Sequence, residues 1–242
     1  MYEILKEYFD AMSIKPILCE LGVLYGENAA NLIRTLEPKK CYLVDSYTKK
    51  TQGAYKVLSR LHNYMSPLDS YSDYYGGSLN KQKTFNKMYQ EARKNITSSE
   101  AVFLKLETTE AISEIKEELD FIYVDANHNY ENVLEDLFLY SGKLATRGVI
   151  QLNDVVMHHN AHRQNIGVID ALNRFIKISG FEVVCMNLRD WTDAIITTTN
   201  NANIIKELIY SQKFLKLEIP NSLMAAYKII ESKNGCQTFS FD

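Results

Sequence analysis

The chain has no C-x-x-C pair. Cys19, Cys41, Cys185 and Cys236 are scattered, and three of them lie in or beside strand patterns. That excludes a disulfide framework and predicts reduced, mostly core thiols in a cytoplasmic protein. No apolar run approaches the ~18 residues of a membrane span, and the first residues, MYEILKEYFDAM, read as an amphipathic helix rather than a signal peptide. The 27 Lys and Arg residues form no cluster and the net charge is −3, so a nucleic-acid surface is not expected. The G-x-G-x-x-G fingerprint of dinucleotide binders is missing. Internal repeats and low-complexity segments are also absent.

What is present is a sizeable core: 242 residues, 46% hydrophobic and 24% charged, suit one globular domain with a small appendage. Strand and helix patterns alternate. A helix is predicted over 2–12, a strand over 16–21, a helix over 27–36 and a strand over 41–45 (CYLVD). Residues 46–80 are irregular and aromatic, holding Tyr47, Tyr55, Tyr64, Tyr71, Tyr74 and Tyr75 of the chain's 16 tyrosines. A polar helix over 81–95 precedes a strand over 101–106 and a short helix over 109–117. A strand over 120–125 leads to a helix over 130–141, where Val133, Leu134, Leu137 and Phe138 make an apolar stripe. A strand over 148–153, a helix over 166–178 and strands over 181–187 and 193–199 complete the unit. Residues 200–242 read as an added tail with a helix over 222–232. Alternation of this kind predicts an α/β fold, a mostly parallel sheet with helices on both faces.

Open α/β sheets bind ligands at the carboxyl ends of their strands, where strand order reverses. Polar groups collect at those ends. The first strand runs into C-E-L-G-V-L-Y-G-E-N-A-A (Cys19–Ala30), in which Gly22 and Gly26 let the backbone approach a ligand and leave N–H groups free at a helix start. An ordinary tight turn would look similar, and Glu20 would repel a pyrophosphate. A cationic or hydroxyl-rich ligand fits better. The second strand ends in Asp45, about 20 residues beyond the glycine turn, a placement suited to a ribose diol. The third reaches Glu107-Thr108, the fourth Asp125, and the fifth Asn153-Asp154. A single such acid is usually just solvated. Five strand ends carrying polar groups imply a site.

ELGVLYGEN, YLVDSY, DFIYVDANHNYENVLEDL and RGVIQLNDV, taken together, resemble the successive motifs of class I S-adenosylmethionine-dependent methyltransferases. The resemblance covers roughly residues 16–200 and is closest to the macrocin O-methyltransferase-like group. It implies a Rossmann-like seven-stranded sheet of order 3-2-1-4-5-7-6, with strand seven antiparallel. It also implies that Glu20, Gly22 and Gly26 surround the methionine part of the cofactor, that Asp45 holds its ribose, and that Glu107 and Thr108 lie near its adenine. With strands four and five as neighbours, Asp125, Asn153 and Asp154 can converge on one hard cation, which suits Mg²⁺. The family commonly has two acids after the fifth strand, whereas this chain has an amide and an acid. Amide oxygens still ligate Mg²⁺.

His128, three residues past Asp125, matches the family's general base, and an imidazole suits that role. A loop histidine on its own is usually solvated; its place inside D-A-N-H-N-Y-E is what marks this one. The expected activity is methyl transfer to a hydroxyl of a small molecule, such as a sugar or a glycosylated natural product. An NAD(P)-binding oxidoreductase on a similar sheet, or a non-catalytic cofactor-binding protein, are the alternatives. The 46–80 segment is long enough for a lid at the active edge, or for a flap that packs on the sheet or on another subunit of a homo-oligomer. His158, His159 and His162 follow the fifth strand. Without a paired cysteine site they read as exposed loop residues, one of which can reach the substrate. Trp191, before the last strand, reads as a packing residue.

Overall fold

The computed structural model describes residues 1–50, 65–187 and 191–213, and short segments at 56–57, 60–61, 215–216, 218, 228–231 and 237–240. Seven strands form one sheet: β1 Ile17–Leu21, β2 Lys40–Val44, β3 Ala101–Leu104, β4 Leu119–Val124, β5 Leu144–Leu152, β6 Phe181–Met186 and β7 Ala194–Thr198. Their order is β3-β2-β1-β4-β5-β7-β6. All neighbouring pairs are parallel except those of β7, which runs antiparallel to both β5 and β6. The strand order reverses between β1 and β4.

The helices are α1 Tyr2–Ala11, α2 Glu27–Leu36, α3 Gln82–Asn95, α4 Thr108–Ala111, α5 Tyr130–Ser141, α6 His159–Arg163, α7 Val168–Ser179 and α8 Thr199–Ser211. They cover both faces because the strands are apolar on both faces, as buried parallel strands must be. In β1, Cys19 and Leu21 point into a core shared with Val133 and Leu137 of α5 and Leu172 and Phe175 of α7. Leu18 points the other way, toward Leu5 and Phe9 of α1, Leu32 of α2 and Met88 of α3. Among the described residues, no helix is long and apolar enough to cross a membrane.

Three local expectations are revised. The helix expected over 109–117 is one short turn, Thr108–Ala111. The supposed tail begins with α8, whose Ala202 and Ile205 are fully buried and which packs on α1, β6 and β7. Part of the helix expected over 222–232 is instead a strand, Lys228–Glu231, paired antiparallel with Gln237–Ser240; residues 222–227 and 232 lie outside the described residues. So do residues 51–55, 58–59 and 62–64 of the tyrosine-rich segment, including Tyr55 and Tyr64.

Candidate active site at the carboxyl ends of the strands

Backbone pairing continues one residue past several strand ends and sets the site residues side by side. Gly22 N–H donates to Val44 O, Asp45 N–H to Leu104 O, Asp125 N–H to Leu21 O and Asn153 N–H to Val124 O. The glycine turn sits at the centre of this row. Gly22 has φ +85°, and a Cβ there would lie 2.0 Å from the carbonyl oxygen of Asp125. Its glycine is therefore required by the close approach of the β1 and β4 ends. Gly26, with φ +78°, precedes the first turn of α2, and a Cβ there would lie 2.6 Å from Ile96 Cδ1.

Asp45 ties the turn to β2. Its Oδ2 accepts from Val23 N and Leu24 N, both at 3.0 Å, and its Oδ1 accepts from Tyr47 N at 2.8 Å. A carboxylate has about four acceptor positions, so about one remains for a ligand hydroxyl.

Glu20 is 1% exposed. Its Oε1 accepts from Asn28 Nδ2 at 2.8 Å, and Asn28 in turn accepts from the Tyr2 hydroxyl at 2.6 Å. The second oxygen, Oε2, is buried without a partner, and desolvation raises the Glu20 pKa well above the ordinary carboxylate range. Buried unsatisfied acceptors are rare in folded proteins. An unpaired carboxyl oxygen near the end of β1 fits the ammonium of an amino-acid moiety, such as that of S-adenosylmethionine.

Glu107 is exposed and stands at the N-cap position of α4, without a side-chain cap bond. The Thr108 side chain lies beside the buried Asp136 and acts to lower its pKa, and the Thr108 carbonyl accepts from the Tyr140 hydroxyl. Thr108 is thus directed toward α5, away from the exposed edge where Glu107 stands.

At the ends of β4 and β5, His128 lies between two acids: Nε2 is 3.3 Å from Asp125 Oδ1 and 3.5 Å from Asp154 Oδ2. Both are ion-pair distances, but neither contact is aligned as a hydrogen bond. Burial disfavours the imidazolium, yet the carboxylates of Asp125 and Asp154 outweigh it and hold the His128 pKa above its ordinary value. Desolvation likewise raises both acids, Asp154 to about 6. The loop is fixed from behind by Gly167 N–H donating to His128 O at 2.8 Å. Asp154 adopts φ +57°, a left-handed conformation open to Asp at some cost. Among the described residues, no set of three or more His, Cys, Asp or Glu side chains is gathered as a ready metal cage. Mg²⁺ needs only one or two carboxylates and keeps several waters, so the oxygens of Asp125, Asn153 and Asp154 fit it as a donor set.

Asp193 escaped the sequence reading. It accepts from Asn153 Nδ2 at 3.0 Å and from Gln151 Nε2 at 2.7 Å. The available signal was the antiparallel β7, whose amino end must lie at the edge where the parallel strands finish. His158 caps α6 through Nδ1 and stacks edge-on against Trp191, while His159 and His162 are exposed. Tyr74 is 74% exposed, close enough for the charges of Asp125, Asp154 and Glu27 to act on its hydroxyl. The segment that carries it is anchored by Ser66 to Arg163 and by Tyr75 O to the Tyr25 hydroxyl.

Residues 19–155, more than half of the chain, match the model of the family described as a methyltransferase domain. The chain belongs to that family. It is a class I S-adenosylmethionine-dependent methyltransferase, and the family match displaces the dinucleotide-oxidoreductase alternative. No curated protein matches it. Solved structures with the same fold include NovP, an O-methyltransferase, at 12% identity and a TM-score of 0.54, covering 82% of this chain and 78% of that one. A proposed caffeoyl-CoA O-methyltransferase from Staphylococcus aureus shares 13% identity and a TM-score of 0.53, covering 81% and 82%. The spermidine synthase of Thermotoga maritima also shares the fold, at 13% identity and a TM-score of 0.51 over 90% and 66%. A sheet common to methyl transfer and polyamine synthesis leaves the acceptor to be argued from the site.

Proposed function

We propose that this methyltransferase is an O-methyltransferase of the macrocin-like type, which methylates a hydroxyl of a small molecule such as a sugar and uses Mg²⁺. The observation that carries this reading is the convergence of Asp125, Asp154 and His128 on one point beside the glycine turn.

S-adenosylmethionine supplies an electrophilic methyl group on a sulfonium. Glu20 Oε2 and the turn from Gly22 to Gly26 receive its methionine part, and Asp45 receives a ribose hydroxyl. Glu107 marks the adenine edge. The Thr108 side chain supports that edge through Asp136. Asp125, Asp154 and the amide oxygen of Asn153 would hold Mg²⁺, which when bound lowers the pKa of an acceptor hydroxyl and fixes its position. His128 takes the hydroxyl proton on its imidazole. Tyr74, whose hydroxyl feels the charges of Asp125 and Asp154, walls the acceptor site.

The test is turnover of S-adenosylmethionine with a panel of sugar hydroxyl, phenolic hydroxyl and amine acceptors, before and after exhaustive chelation. Loss of turnover on chelation and its return with Mg²⁺ is expected. Undiminished methyl transfer after chelation, or methylation confined to nitrogen acceptors, would overturn the reading.

A further inference from the structure

Asp193 stands directly before β7. Because β7 runs antiparallel to β5, this residue arrives at the edge where β4 and β5 end. Two amides turn their NH₂ groups to it, Asn153 Nδ2 to Oδ1 and Gln151 Nε2 to Oδ2. Gln151 does so although its own oxygen is then left buried without a partner. An ionised carboxylate only accepts hydrogen bonds, so Asn153 has one available orientation. Its NH₂ meets Asp193 and its oxygen is turned away. The backbone N–H of Asn153 is held by Val124 O at 3.0 Å, so this amide stands beside Asp125, the residue that follows Val124.

We propose that Asp193 is a positioning residue, which locks the Asn153 amide so that its oxygen, not its nitrogen, faces the point between Asp125, His128 and Asp154. This proposal rests on the cation reading above. It explains how an amide serves where the family commonly has a second acid. An aspartate there presents oxygen whichever way it turns, whereas an asparagine presents oxygen only if something holds its nitrogen.

The experiment uses Mn²⁺ as the probe, with affinity read by electron paramagnetic resonance on the full chain saturated with S-adenosylhomocysteine. Asp193→Asn replaces an obligate acceptor by a group that can also donate, which frees Asn153 to flip. It is expected to weaken Mn²⁺ binding about 10–100-fold, the range seen when an outer-shell partner is lost, with S-adenosylhomocysteine affinity unchanged. In an Asn153→Asp background the same change should not weaken Mn²⁺ binding, since a carboxylate has no orientation to lose and Asp193→Asn gives it an NH₂ partner in place of a like charge. Unchanged Mn²⁺ affinity in Asp193→Asn overturns the proposal. So does an equal loss in both backgrounds, which would mean that Asp193 acts through its charge. If the parent chain binds no Mn²⁺, the cation reading fails first. Solvent exchange of the Asn153 side-chain NH₂ protons in the metal-free protein then tests the lock, because it should quicken in Asp193→Asn and stay as in the parent if Asp193 holds nothing.

Discussion

Replacing Asp45 by alanine removes one side chain and leaves three backbone N–H groups without their acceptor: Val23 and Leu24 at 3.0 Å and Tyr47 at 2.8 Å. In a fully buried setting each charge-assisted bond is worth about 1.5–3 kcal/mol. Asp45 is only half-buried, so water recovers part of that, and about 1 kcal/mol for each bond is the appropriate scale. The sum, about 3 kcal/mol, lies within the roughly 5–15 kcal/mol of a typical domain, and the variant should fold. S-adenosylhomocysteine affinity should fall about 10–100-fold, because the turn that receives the methionine part is loosened and the ribose acceptor is gone. Asp45→Asn sharpens the test. Its amide oxygen can keep Val23 and Leu24, while its NH₂ opposes the Tyr47 N–H, so the stability loss should be about half that of alanine. The measurements are urea unfolding and calorimetric titration with S-adenosylhomocysteine. A folded Asp45→Ala protein that binds the ligand like the parent would refute the cofactor role. An unchanged unfolding free energy would refute the hydrogen-bond accounting.

His128→Ala should bind S-adenosylhomocysteine nearly as well as the parent yet turn over about 10²–10⁴-fold more slowly. In the parent, activity should rise with pH as the His128 imidazolium loses its proton; a variant that keeps most of its kcat would assign deprotonation to another group. Asp136, 2% exposed in α5, has its pKa raised by desolvation to about 7. The folded state therefore holds this proton more tightly than the unfolded chain, and stability should fall as pH rises from about 4 to about 7, then level off. Asp136→Asn keeps an acceptor for Thr108 and removes that slope. It should match the parent near pH 4 and exceed it by about 2–4 kcal/mol at pH 8 in urea unfolding; parallel stability curves for the two proteins would show that Asp136 is not held neutral.

The alternation of strands and helices, and the polar residue at each strand end, were legible in the chain because apolar periodicity records local burial. β1, β2, β4 and their following helices lie within a residue or so of their expected bounds, and Asp125, Asn153 and Asp154 do stand at neighbouring strand ends. Residues 222–232 read as a helix from their helix-forming side chains, yet Lys228–Glu231 pairs with Gln237–Ser240. A partner strand outweighs propensity differences of a few tenths of a kcal/mol per residue. The start of α8 was hidden by the polar run Thr197–Asn201, which shows its worth only where Thr197 and Asn201 hydrogen-bond to Gly148 O and Thr146 O. Sequence spacing likewise places Asp45 and Thr108 at strand ends without saying what they bond. The three amides on Asp45 and the link from Thr108 to Asp136 arise because the chain folds back on itself there. Asp193 is the clearest case. Forty residues separate it from Asn153 in sequence, and the reversed direction of β7 alone carries its carboxylate to the edge where it can hold that amide.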